Sequence, residues 1–190
     1  MNAHTQSSLP QTPKTQAPGK NTADKLLVGS IVLMVVALGW VISGSLEERV
    51  VKVGDKAPEF TFKTDSGKTI TPTSFGGKLL VLNFWAAWCQ PCVVEVPSLE
   101  QFSRALGPQG VVVLGVSMDA NPKLYEQFRS RFDVTFETAR EPDWKTSSQY
   151  GTFQIPETYI IDQSGKVVQK IISAQDWMNP AFLDSVKKLL

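Results

Sequence analysis

The chain passes through three hydrophobic patterns in turn. Residues 1–25 are Gln-, Thr-, Ser-, Pro- and Lys-rich, with Leu9 as the large apolar residue inside the stretch. Such a segment buries too little to offset the entropy of ordering and is expected to be a disordered tail. Residues 26–44 read Leu-Leu-Val-Gly-Ser-Ile-Val-Leu-Met-Val-Val-Ala-Leu-Gly-Trp-Val-Ile-Ser-Gly and carry no charge. As a helix this stretch is roughly 28 Å long, the thickness of bilayer hydrocarbon. Trp40 lies near one end, where an indole prefers the interface. A single transmembrane anchor is expected. Ser43-Gly44-Ser45 also fits a small-x-small cleavage site, but the apolar run is longer than a usual signal core and its polar lead-in is long.

From residue 50 the pattern alternates between strand and helix periods. Val50 to Pro58 leads in, Glu59 to Lys63 alternates, Asp65-Ser66-Gly67 turns, and Lys68 to Thr71 returns, which predicts a β-hairpin. After a Gly-rich connection, Leu79 to Trp85 is a continuous apolar run, hence a buried strand. Val93, Val96, Leu99, Phe102 and Leu106 follow at helical spacing until Gly107-Pro108 stops them. Pro97 inside this helix predicts a kink. Val111 to Ser117 reads as a second buried strand. Asn121-Pro122 reads as a helix start, the helix reaching about Arg131 and burying Leu124 and Phe128. Val134 to Thr138 is a weak strand, and Asp143 is expected to cap a short helix to Tyr150. Thr158 to Ile161 and Lys166 to Ile172 form a hairpin about Asp162 to Gly165. Asn179-Pro180 starts the last helix. Strands alternating with helices imply an α/β fold with right-handed parallel crossovers. The organisation is a tail (1–25), an anchor (26–44) and a folded domain (50–190).

Charge adds an orientation. The tail has Lys14, Lys20 and Lys25 against Asp24, whereas Glu47 and Glu48 follow the span together with Arg49 and Lys52. The positive-inside rule then places the N-terminus in the cytoplasm and the domain outside it. A net charge of +1 gives no nucleic-acid footprint.

The chemistry lies in Phe84-Trp85-Ala86-Ala87-Trp88-Cys89-Gln90-Pro91-Cys92, which holds both cysteines of the chain. Two cysteines are too few for a disulfide scaffold or, without histidines, a structural zinc site. The one histidine, His4, lies in the tail and supplies no base to the domain. A Cys-x-x-Cys where a strand turns into a helix is instead a redox dithiol. The open helix end favours the Cys89 thiolate, and Cys92, one turn inside, can close a disulfide. Cys89 is therefore the nucleophile and Cys92 the resolving thiol. Pro91 fits and stiffens the first turn.

These residues carry a resemblance. Val81 to Cys92 resembles the active-site strand and helix of thioredoxins, and Ile155-Pro156 ahead of a strand resembles their cis-proline loop. The resemblance implies a thioredoxin-like fold in which Pro156 packs beside the disulfide and the backbone at Ile155 pairs with an extended substrate. Val53-Gly54-Asp55-Lys56-Ala57-Pro58-Glu59-Phe60, the N-terminal hairpin, Trp88-Cys89-x-Pro91-Cys92, Glu95, Tyr150-Gly151 and Pro156-Glu157-Thr158 bring the chain closer to the membrane-anchored ResA, TlpA and CcmG type. These are thiol–disulfide reductases of cytochrome c maturation. The partners so implied are a protein disulfide such as that of apocytochrome c, a membrane thiol–disulfide electron donor, and lipid around residues 26–44. No cofactor beyond the Cys89–Cys92 disulfide is implied. The titrating aspartate of the thioredoxin strand is replaced by Asn83, which leaves Glu95, one turn beyond Cys92, as the candidate proton acceptor. Trp88 and Glu157 are candidate substrate contacts.

Three other readings remain open on the residues alone. The same dithiol serves an oxidase or isomerase, since the reduction potential sets the direction. Two thiolates suit Cu(I), as in a metallochaperone. The region before Cys89 also resembles peroxiredoxins, whose motif needs Thr where Ala86 stands.

Overall fold

The computed structural model describes residues 22–45 and 50–190. They fall into two units, one on each side of Glu47. The first is the helix α1 (Thr22–Ser45), which begins before the apolar run and takes in residues 22–25, assigned above to the tail; the rest of that tail lies outside the described residues. Its Ala23–Trp40 stretch is long and apolar enough to cross a membrane, and none of it is buried by protein. This suggests a single-pass anchor.

The second unit contains β1 (Phe62–Lys63) and β2 (Thr69–Ile70), then β3 (Leu79–Trp85), α2 (Gln90–Leu106), β4 (Val111–Ser117) and α3 (Pro122–Arg131). It continues with β5 (Glu137–Arg140), α4 (Lys145–Gln149), β6 (Glu157–Asp162), β7 (Val167–Ile172) and α5 (Pro180–Lys187). β1 and β2 form the expected hairpin, an antiparallel pair of their own. The five longer strands form one mixed sheet in the order β5-β4-β3-β6-β7, with β3, β4 and β5 parallel and β6 and β7 antiparallel.

β3 sits at the centre and is buried at every position. Its side chains alternate between faces. Leu80, Leu82 and Phe84 pack with Phe60, Phe62 and Ile70 of the hairpin region and with Tyr150 and Tyr159. Leu79 and Val81 pack on the other face with Leu99, Phe102 and Leu106 of α2, and with Trp177 and Val186. Asn83 falls on this second face, directed toward α2. The helix starts follow the sequence signals: the Asn121 side chain caps α3 through Lys123 N–H, and Asn179 caps α5.

The lead-in to β1 is stitched to the far edge of the domain. Val51 N–H donates to Tyr150 O, Gly54 N–H to Val167 O, and Ala57 N–H to Gly165 O, while Val167 N–H donates to Asp55 O.

α2 holds Pro97 inside a single helix, Gln90–Leu106. Two local expectations change. β5 starts at Glu137 rather than Val134, because Val134 N–H closes the end of α3 on Arg129 O and the backbone N–H of Thr135 donates to Glu100 Oε2. In α3 the inward residues are Tyr125 and Phe128, while Leu124 is exposed.

Candidate active site

Cys89 and Cys92 form a disulfide at the start of α2. Cys89 is the N-cap residue, with an extended backbone, and its sulfur accepts the Cys92 N–H at 3.3 Å. That N–H is one of the unpaired donors of a helix start, so it favours a thiolate on Cys89 once the bond is reduced. Pro91 occupies the first turn. Cys89 is 5% exposed and Cys92 fully buried, so an approaching partner meets Cys89 first. The active-site loop is fixed from beneath: Asp119 Oδ2 accepts the Ala87 N–H at 2.9 Å and the Ser117 hydroxyl at 2.8 Å.

The Ile155–Pro156 bond is cis, and the Ile155 carbonyl oxygen lies 3.5 Å from the Cys89 sulfur. The loop ahead of β6 therefore reaches the disulfide, although Ile155 lies 66 positions beyond Cys89 in sequence. Trp88 is 60% exposed beside Cys89.

Glu95 is 2% exposed and held by three donors, one from β3 and two from the stretch ahead of α5. Asn83 Nδ2–H donates to Oε1 at 2.9 Å, Gln175 N–H to Oε2 at 3.1 Å, and Trp177 Nε1–H to Oε2 at 3.3 Å. Burial pushes the Glu95 carboxyl above the usual carboxylate range, against the opposing pull of those donors. Asn83 also donates to the Thr158 hydroxyl across the β3–β6 pair, while its Oδ1 is buried without a partner among the described residues. The two positions singled out for proton handling thus sit in direct contact.

Glu157 does not line this site. Its position in β6 turns its side chain into the core, where it is 3% exposed. Oε1 pairs with Lys170 Nζ at 2.6 Å and accepts the Tyr159 hydroxyl at 2.8 Å. So deeply buried a carboxylate, with Oε1 already shared by two core partners, is out of a substrate's reach, and the expectation of substrate contact is corrected to a structural one. Sequence reasoning missed Thr158, Gln175 and Trp177 around Glu95. The last two lie in the irregular stretch before α5, which carries no periodic signal. Asp143 does not cap α4: Trp144 stands at the N-cap, and Glu141 supplies the carboxylate to Thr146 N–H.

The AhpC/TSA family model matches residues 53–170, most of the folded unit, with the cysteine pair inside it. The chain belongs to the AhpC/TSA family. Within it, the chain is 36% identical over 146 residues to the thiol-disulfide oxidoreductase ResA of Geobacillus thermodenitrificans, covering 75% of this chain and 83% of the relative. The crystal structure of a putative thiol:disulfide interchange protein DsbE from Chlorobium tepidum is similar, with a TM-score of 0.63 at 27% identity over 73% of this chain and 95% of that one. StoA from Bacillus subtilis shares the fold, with a TM-score of 0.59 at 22% identity over 74% of this chain and 98% of that one. The domain has the thioredoxin-like α/β fold, and the protein is a thiol–disulfide oxidoreductase acting through a Cys-x-x-Cys pair. Among the described residues no group of three or more His, Cys, Asp or Glu side chains is placed to hold a metal ion.

Proposed function

We propose that this oxidoreductase works as a dithiol reductant of protein disulfides outside the cytoplasm, in the service of cytochrome c maturation, with an apocytochrome c disulfide as substrate. The observation that carries the reading is the Cys89 sulfur, capping α2 and lying against the Ile155 carbonyl beside cis-Pro156. An extended substrate strand pairing with the backbone there brings its own disulfide onto Cys89.

In the reduced protein the Cys89 thiolate attacks one sulfur of the substrate disulfide. A mixed disulfide forms and the other substrate sulfur leaves as a thiolate. Cys92 then gives its proton to Glu95 and attacks the Cys89 sulfur, releasing the second substrate thiolate and closing Cys89–Cys92. The raised affinity of Glu95 for a proton suits it to this step, and Asn83, which cannot titrate, orients it. Trp88 covers the disulfide and touches the substrate. A membrane thiol–disulfide donor returns two electrons and two protons to the pair.

Residues 26–44 serve as an uncleaved anchor in the cytoplasmic membrane, with the tail 1–25 inside and the domain 50–190 in the periplasm or its equivalent. The apolar helix and the lysines ahead of it support this arrangement. Ala86, where the peroxidase motif needs a threonine, speaks against peroxide reduction.

The test is the reduction potential of Cys89–Cys92 in the full-length protein. A value below about −230 mV is expected for a reductant; a value near −120 mV, that of a strong oxidant, overturns the direction.

A further inference from the structure

Trp144 occupies a backbone conformation that bulky residues avoid. Its φ is 58° and ψ 21°, the left-handed region in which glycine is free of strain. The loop around it enforces this. Glu141 N–H donates to Ser117 O at the end of β4, and Trp144 N–H donates back to Glu141 O. Both Glu141 carboxylate oxygens are taken by Thr146, at 2.7 Å each, and the Ser147 hydroxyl and Ser148 N–H both donate to Trp144 O.

Core packing does not account for the indole. Trp144 is 37% exposed and belongs to none of the buried apolar clusters of the described residues. Its ring instead lies parallel to that of Trp88, with centroids 6.3 Å apart and planes 15° from each other. Trp88 is the residue next to Cys89, so the loop spends backbone strain to set a second indole beside the reactive sulfur. Phe153, 69% exposed and two residues ahead of Ile155, adds a third exposed ring on the loop that meets Cys89.

We infer that Trp144 is a specificity-determining residue: with Trp88 it forms a two-indole platform that receives a large apolar side chain flanking the reacting cysteine of the substrate. The occupant is the substrate itself, because an exchanging disulfide must come to Cys89 and carry its neighbouring residues across these rings. Flat apolar faces select a large aliphatic or aromatic side chain and give a small hydroxyl little to bind. Asp143 and Lys145 flank the indole with opposite charges and favour neither sign of substrate.

This inference rests on the exchange reading above, and the experiment separates the two. Two disulfide peptides, identical except for Leu or Ser on both sides of each cysteine, are offered to the reduced full-length protein in detergent, and thiol release is followed by quenched flow. The wild type is expected to favour the Leu peptide by about tenfold in kcat/KM, with the difference in KM. Trp144→Gly and Trp144→Asn, both at ease in the left-handed region, should bring the ratio within about twofold while melting no lower than the wild type. An unchanged ratio in either variant overturns the inference, as does a lowered melting temperature in both, which would make the indole a packing element. Equal wild-type rates on the two peptides overturn it and leave exchange standing. A wild type that exchanges with neither peptide removes the exchange reading, and this inference with it.

Discussion

Glu95→Gln separates the chemical value of the carboxylate from its cost to the fold. The side chain is buried and accepts three hydrogen bonds. Its proton affinity is nevertheless raised, so the burial penalty on the charged form exceeds what those donors return. A glutamine of the same shape keeps its oxygen on Gln175 and Trp177 and turns its amide toward Asn83. Asn83 can rotate its amide so that Oδ1 accepts from the new Nε2–H and from the Thr158 hydroxyl; its Nδ2 then takes the partnerless place that Oδ1 held, so the number of unpaired buried atoms stays the same. The neutral variant should therefore be at least as stable as the wild type at neutral pH. A gain of ~1 kcal/mol is read as a rise of ~4 °C in the melting temperature of a domain of ~140 residues.

The sign is specific. Below the unfolded carboxylate pKa both states hold the proton and the two proteins should melt alike. As pH rises toward the folded pKa the unfolded chain releases its proton first, so wild-type stability falls and the gap opens; above the folded pKa it is complete. Over the same range exchange should be slower in the variant by ~100-fold or more, and the wild-type rate should rise through an inflection that the variant lacks. Melting curves of both proteins between pH 4 and pH 8, together with stopped-flow exchange rates, make the measurement. A variant less stable at neutral pH, or one that keeps the inflection and the rate, refutes the reasoning.

Lys170→Met removes the cation from the buried Glu157 carboxylate and leaves the Tyr159 hydroxyl on Oε1, which should cost about 3–5 kcal/mol and ~10–15 °C. Thermal unfolding of the double variant with Glu157→Gln should recover most of this. Gly115→Ala places a Cβ 2.8 Å from Phe136 Cε2 and 2.9 Å from Trp85 Nε1, an overpacking of about 1–3 kcal/mol readable by urea titration. Cys92→Ser should hold substrates as mixed disulfides on Cys89, seen as reducible adducts on non-reducing gels, whereas Cys89→Ser should form none.

The strands and the dithiol were legible because their signals are local. The apolar run of β3 and the helical spacing behind Cys92 fix the strand–helix junction, and with it both thiols. The Glu95–Asn83 contact was foreseen only as a shift of role, since residue spacing says nothing of which face of β3 meets α2. The rest of the Glu95 cradle comes from residues 175 and 177, brought in by the chain return after β7, for which no local pattern exists. Glu157 was misread because a charged residue beside an active-site loop looks solvated until its partner is known, and Lys170 lies on the neighbouring strand. Trp144 was hidden for another reason: an aromatic residue gives no sign in sequence of a left-handed backbone.

The stitched lead-in has a consequence for where the chain can be cut. Backbone bonds from Val51, Gly54, Asp55 and Ala57 tie it to Tyr150, Gly165 and Val167, and Lys170 Nζ adds a bond to Val51 O at 3.2 Å. The cooperative unit therefore opens at Val51, well ahead of the first strand. A cut upstream of that residue leaves all of these bonds in place, whereas a nick only a few residues later breaks them and uncovers the start of β7, which then rests on its ladder with β6 alone.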